Sequence, residues 1–305
     1  MKARLHPIEW IAAFAVALAL LAATAFDLRF YVPNLGSTAF AVEHYIVPLA
    51  GALLLAHFSS WLRETGTKTG TWWRQARLVL AFGVVVYIHF NLKLWGLLIT
   101  DARFDATFRE WDEAIAPSWV SFASYRTISA GLGEIWPMAY HDVFVGMFLV
   151  SLGAHALIPG GRGRLGELAT AIAAVLVIGG LSYAIAPAYG PFVFESGTNP
   201  AATAIQQQML DFSTQFAASL GDVYSGHNFI MPLAAMPSLH VAHTLVLFWY
   251  AWRHVHWLSM AYLPAVAFIG LEAVAAGWHY AVDLVAGMVI CLFCIACAVA
   301  LHRSE

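Results

Sequence analysis

The chain has 305 residues, of which 61% are hydrophobic and 11% charged, and a formal net charge of −3. A soluble domain carries roughly 25% charged residues, so the composition excludes an ordinary water-soluble globule. With no basic run to follow a phosphate backbone, it also gives no reason to expect a nucleic-acid partner. Apolar stretches of about 20 residues are long enough to cross a bilayer. There backbone polar groups must pair internally, which helices achieve and open sheets do not, so the sequence predicts an all-α, polytopic integral membrane protein.

Eight apolar segments follow one another at about 8–26, 44–62, 77–99, 138–158, 165–186, 237–252, 258–276 and 279–301. The first reads as a retained span rather than a cleaved signal, because further spans follow and no small-x-small site precedes a polar region. Two stretches between spans read as amphipathic and interfacial. One runs from Asp101 to Ile115, with Phe104, Phe108, Trp111 and Ile115 at helical spacing, and the other from about Pro200 to Leu220. Trp and Tyr gather near several span ends, as rings at headgroup level do. With no internal repeat and no low-complexity linker, residues 1–305 form a single expected domain. Cys291, Cys294 and Cys297 share the last apolar run. Their spacing superficially resembles an iron–sulfur pattern, but without nearby charge they are expected to pack as small apolar residues, with no metal and no disulfide.

Basic residues orient such a chain. With the N-terminus inside, the inner segments carry Lys2, Arg4, Arg63, Lys68, Arg74, Arg77, Arg162, Arg164, Arg253 and Arg303. The outer segments carry only Arg29, Arg103, Arg109 and Arg126. Both termini are therefore expected in the cytoplasm. Polar residues within spans are costly in lipid and are functional candidates by default. Here the third span ends outside with His89 and Lys93, and the fourth starts outside with His141 and Asp142. The seventh ends outside with Glu272. The sixth and eighth start outside with His240, His243, His279 and Asp283 in their first turns. Separate span assignments thus put the unusual polar residues in one extracytoplasmic layer.

Two local patterns carry chemistry, Met236-Pro237-Ser238-Leu239-His240 and Gly277-Trp278-His279-Tyr280-Ala281-Val282-Asp283. On a helix, His279 and Asp283 would share one face. The carboxylate could then accept from one ring nitrogen, fix the tautomer and leave the other nitrogen as an activated nucleophile. Pro237 and Ser238 suit the first turn of a helix. Free amides at a helix start favour an anion, Ser238 adds a hydroxyl, and His240 could give a proton to a leaving oxygen. His240 and His279 are 39 residues apart, enough for one span down and one back. His243, three after His240, invites a metal pair but is expected to pack beneath the site. His254 and His256 read as loop residues. Glu272 reads equally as a partner of the site or as a structural polar contact.

On these residues the sequence resembles the type 2 phosphatidic acid phosphatase superfamily. Through its Pro-Ser-Leu-His form it is similar, more narrowly, to the inositol phosphorylceramide synthase-like branch. The stretch Tyr183-Ala184-Ile185-Ala186-Pro187-Ala188-Tyr189-Gly190-Pro191 also resembles a segment that precedes these motifs in that branch. The resemblance spans about residues 77–301 and leaves residues 1–76 as two added N-terminal spans on a six-span core. It implies that His279 attacks phosphorus to form a phosphohistidine, Asp283 orients it, His240 protonates the leaving group and Ser238 binds phosphate oxygens. Water or a lipid hydroxyl would then accept the phosphoryl group, with no metal or other cofactor, and the substrate would be a lipid phosphate or phospholipid. The phosphatase branch typically has Lys, six residues and Arg-Pro, but Lys93 is followed at the arginine position by Thr100. Where that branch has Ser-Arg, this chain has Glu272-Ala273. Something else must neutralise the phosphate, and Lys93, Arg126, His227 and Tyr189 are the substrate-side candidates. These departures favour headgroup transfer over plain phosphatidate hydrolysis. The alternative is a proton-coupled transporter using the intramembrane His, Lys and Asp. It would need polar groups near the midplane and access from both sides.

Overall fold

The computed structural model describes residues 5–63, 71–115, 122–158 and 161–303, and among these there are helices and no strands. Lys2, Arg4 and Lys68, used above for orientation, lie outside the described residues. So do the side chains of Arg63, Arg162 and Ile115.

All eight apolar segments are helical. They are α1 (Pro7–Ala25), α3 (Val47–Arg63), α4 (Thr71–Ile99), α7 (Ala139–Leu157), α8 (Gly161–Ile185), α10 (Leu239–His254), α11 (His256–Ala275) and α12 (Ala281–Arg303). A short α2 (Leu35–Ala41) and one π-helical turn (Val42–Ile46) lead directly into α3, so the second apolar segment begins earlier than the sequence suggested. The interfacial stretches form α5 (Asp105–Ile115) and α9 (Pro200–Ala218). A helix that the apolar pattern did not reveal, α6 (Phe122–Ile135), follows α5. Among the described residues seven helices are long and apolar enough to cross a membrane. The sixth expected span, α10, has only 16 residues and at 1.5 Å per residue reaches about 24 Å, short of a full hydrocarbon thickness.

Helices α4 and α8 are the axis of the bundle. Their apolar windows are 67% and 72% buried, against 22–39% for the other five. Phe82, Val85 and Trp95 of α4 and Leu168, Ala171 and Val175 of α8 join Ala242 and Val246 of α10 and Cys294 of α12 in one core. Cys291 and Cys294 are buried in it as free thiols. Ile8, Ala12, Ala15 and Ala19 of α1 belong to the same core, so the N-terminal helices pack as an integral part of the bundle. At one end, His6 accepts from the Ile8 amide while Glu9 returns to the His6 amide and pairs with Arg77 at 2.7 Å. This capping box ties the start of α1 to the start of α4.

The opposite end of the bundle gathers the polar groups. There α4, α8 and α11 finish and α7, α10 and α12 begin. Two glycines let α10 enter this layer. A Cβ on Gly287 of α12 would lie 2.6 Å from the carbonyl oxygen of Ser238, and one on Gly179 of α8 would collide with the side chain of Leu239.

Candidate active site

Ser238 is the N-cap of α10, and its backbone N–H donates to the carbonyl of Asp283 at 3.1 Å. The start of α10 is thereby fixed on the first turn of α12. The sequence placed Pro237 and Ser238 within the first turn, whereas the helix starts after them. The Ser238 side chain makes no capping bond, and its fully buried hydroxyl lies beside that of Tyr140. His240, in the first turn of α10, is framed by the ring of Tyr140 at 4.9 Å and the edge of Phe144 at 4.6 Å, both from α7.

His279 is not on a helix. It sits in the turn between α11 and α12, two residues before α12 begins. Gly277, with φ +76°, makes the left-handed turn that ends α11, and the amides of Trp278 and His279 both donate to the carbonyl of Ala273. The linker between α8 and α9 braces this turn. Phe192 donates to the carbonyl of Gly277 and Thr198 to that of Ala275, and Gly190, with φ +120°, leaves no room for a side chain against the carbonyl of Trp278. The expected pairing survives the different backbone. Nδ1 of His279 lies 3.4 Å from Oδ2 of Asp283, within ion-pair range and longer than a good hydrogen bond. The same Oδ2 accepts the Tyr280 amide at 2.9 Å.

His279, His243, His141 and Lys93 all lie near enough to His240 to act on it electrostatically. The two histidines singled out from sequence are therefore together. Four buried polar atoms here, Tyr140 Oη, Ser238 Oγ, His279 Nδ1 and Asp283 Oδ1, make no well-formed hydrogen bond among the described residues and have one another as near polar neighbours. Tyr140 lies beside Ser238. Buried polar groups are ordinarily satisfied by protein or ordered water, and these atoms are the candidates for contacts to a polar ligand.

Helix α5 supplies two carboxylates that the sequence reading missed. Asp105 accepts the amides of Tyr189 and Gly190 at 2.9–3.1 Å and the Tyr280 hydroxyl at 3.0 Å. Asp112 accepts the amides of Ala281 at 2.8 Å and Val282 at 3.4 Å, capping α12 from outside. Burial pushes the Asp112 carboxyl up from its usual range; the two amides pull it down, and nearby Asp283 pushes it up further. The two aspartates are seven apart on an amphipathic helix, a same-face spacing that could have flagged them.

The remaining candidates divide. Lys93 faces the ring of Tyr183 at 5.7 Å, and Tyr189 lies under Arg103 at 5.2 Å; all four line one cleft. Arg126 pairs instead with Glu195 at 3.0 Å. His227 meets Asn34 at 2.7 Å and, among the described residues, touches none of the site residues. His243 is engaged by the carbonyls of Leu239 and Ile172, matching the packing role expected of it. Glu272 accepts from Ser129 and Tyr125 of α6, both at 3.0 Å, so the buried carboxylate ties α6 to α11.

No curated protein and no solved structure matches the chain. One family model does, described as the PAP2 superfamily, over residues 109–297. That stretch holds Ser238, His240, His279 and Asp283, while Lys93 and Arg103 precede it. The family supports a phosphatase-type enzyme and does not favour the transporter alternative. On a match covering well over half its length, with the paired motifs inside it, this chain belongs to the PAP2 superfamily.

Proposed function

We propose that the protein cleaves or transfers a phosphate ester of a membrane lipid through a phosphohistidine intermediate. The observation that carries the reading is the meeting of Ser238, His240, His279 and Asp283 at one end of the bundle, with Ser238, His279 and Asp283 buried. Because Nδ1 of His279 faces Asp283, Nε2 is the attacking atom. It forms the P–N bond as the bond to the leaving oxygen breaks, and His240 gives that oxygen its proton. Water or a lipid hydroxyl then attacks phosphorus and returns its proton to His240, and the P–N bond breaks to regenerate His279. Asp283 stabilises the positive ring that attack creates. Ser238, and Lys93 and Tyr189 on the cleft side, bind phosphate oxygens or headgroup. The scheme calls for no metal.

The Pro-Ser-Leu-His form and the lack of a motif arginine at Thr100 favour transfer of a phosphate-linked headgroup, as in the inositol phosphorylceramide synthase-like branch. The excess of basic residues on the other side supports a site facing away from the cytoplasm and both termini within it. The chain acts as one membrane domain, with residues 1–76 added to a core of 77–301.

Product analysis tests the reading. Purified protein in detergent is given radiolabelled lipid phosphates and phospholipids, with and without a lipid alcohol. Label on the alcohol, lost in His279→Ala, identifies a headgroup transferase; free phosphate, lost in the same variant, identifies a lipid phosphatase. Undiminished turnover by His279→Ala would defeat the mechanism, as the loss expected on removing a nucleophile is at least about 10³-fold.

A further inference from the structure

The cleft beside the histidines is open to a more specific reading, which rests on the function proposed above. It is small, with about 10 Å³ of space, room for one water-sized group such as a single phosphate oxygen, and is lined by Lys93, Gly96, Arg103, Tyr183, Tyr189 and Ala234 among others. Its walls come from the end of α4, the loop after it, the end of α8 and the segment leading to α10. Ala234 is four residues before Ser238, so chain geometry keeps the two within about 14 Å. Lys93 is close enough to act electrostatically on His240, so the cleft lies in the same polar layer as the histidines.

The charges in this cleft lack anions. Among the described residues neither Lys93 nor Arg103 pairs with a carboxylate. Arg103 spends only Nη1, on the carbonyls of Thr100 and Ala102 at 2.8 and 2.7 Å. Its Nε and Nη2 donors, like the Lys93 ammonium, have no hydrogen-bond partner there. Asp105, which holds the amide of the cleft residue Tyr189, already accepts a second amide and the Tyr280 hydroxyl. Each cation lies against a tyrosine ring, which holds it in place without neutralising it. Guanidinium donors without a protein partner, on a residue that lines the cleft, suit the geometry of phosphate oxygens.

We propose that Lys93 and Arg103 form the anion subsite of this enzyme and that Arg103, at a position no family motif assigns, is the arginine that binds the substrate's phosphate oxygens. Tyr183 and Tyr189 wall the subsite, and Gly96 keeps its floor open, since a Cβ there would lie 3.1 Å from the carbonyl of Tyr183. The ligand class is a phosphate monoester or diester headgroup.

The test measures binding without turnover. In a His279→Ala background, calorimetry in detergent micelles follows inorganic phosphate, dioleoyl phosphatidate and, as a control lacking phosphate, dioleoylglycerol. Losing a charge-assisted pair should weaken phosphate-bearing probes roughly ten- to hundredfold in Arg103→Gln, with part of the affinity restored in Arg103→Lys. Ala234→Leu, which adds bulk to the cleft wall and keeps both cations, should weaken them too. An effect on both probes assigns the subsite to phosphate oxygens in general; an effect on phosphatidate alone assigns it to the lipid headgroup. If the parent binds no phosphate, or if Arg103→Gln and Ala234→Leu both bind as the parent does, the subsite is elsewhere. The function itself is tested separately: wild-type protein should carry acid-labile label on His279 after incubation with labelled substrate, and its absence would defeat the phosphohistidine reading whatever the cleft does.

Discussion

Replacing Gly287 by alanine tests whether the seam between α10 and α12 sets the activity. The added methyl group would lie 2.6 Å from the carbonyl oxygen of Ser238, against the 3.4 Å at which ordinary contact begins, and 3.5 Å from the Ala242 amide. The nearest neighbour is backbone, so no side chain can swing aside. The helices must part by about 0.8 Å, which as overpacking costs about 1–3 kcal/mol. The bond from the Ser238 amide to the Asp283 carbonyl, 3.1 Å long, stretches with them. This opening carries the Ser238 hydroxyl and His240 away from His279. A misplacement of about 1 Å can cost on the order of 10²-fold in rate, so kcat should fall roughly 10- to 100-fold. Gly153→Ala on α7 is the matched control. It has nothing within 4 Å and gains the same helix propensity, up to about 1 kcal/mol. Turnover of a labelled lipid phosphate and a thermal melt should be recorded for both. A folded Gly287→Ala protein with kcat within about twofold of Gly153→Ala would refute the claim that this close approach positions the site.

Tyr140→Phe removes a buried hydroxyl whose polar neighbour is the Ser238 hydroxyl and which makes no well-formed hydrogen bond. Its melting temperature should be unchanged while kcat/KM drops about 3- to 10-fold, the worth of one hydrogen bond; unchanged kinetics would remove Tyr140 from the site. Asp112→Ala should lose about 1 kcal/mol of stability with the cap of α12, whereas Asp112→Asn keeps an acceptor and should lose little. Because burial holds the folded Asp112 carboxyl above its usual range, its charged form is the costly one. Wild type should therefore gain stability relative to Asp112→Asn as pH falls through that range, and melting curves that stay parallel would contradict this. Glu272→Leu removes the acceptor shared by Ser129 and Tyr125, although Ser129 keeps Thr198 at 2.6 Å, and should cost about 1–3 kcal/mol in all. Glu272→Gln should be nearly neutral by the same melting assay, and equal losses in the two would argue against the hydroxyl tie.

The amino-acid sequence by itself determined the fold class, the eight helical segments and the layer that holds the unusual polar residues. These follow from apolar length and from the cost of polar groups in lipid, which are properties of consecutive residues. It also singled out Ser238, His240, His279 and Asp283 as candidates, because the Pro-Ser-Leu-His and His-x-x-x-Asp spacings are local, and packing brings these four to one end of the bundle. The helix expected under His279 was not local in origin. Gly277 ends α11 in a left-handed turn, and the linker at 190–198 holds that turn, so the His279–Asp283 contact forms from a loop. The cation set lay furthest from the sequence's reach. Arg126 and His227 looked as available as Arg103, but tertiary packing gave them Glu195 and Asn34 as partners and left Arg103 beside Lys93. The same packing brought Asp105 and Asp112 of α5 against the start of α12 and the 189–190 loop. Which charge finds a partner depends on distances between segments far apart in the chain, and those distances exist only once the helices have packed.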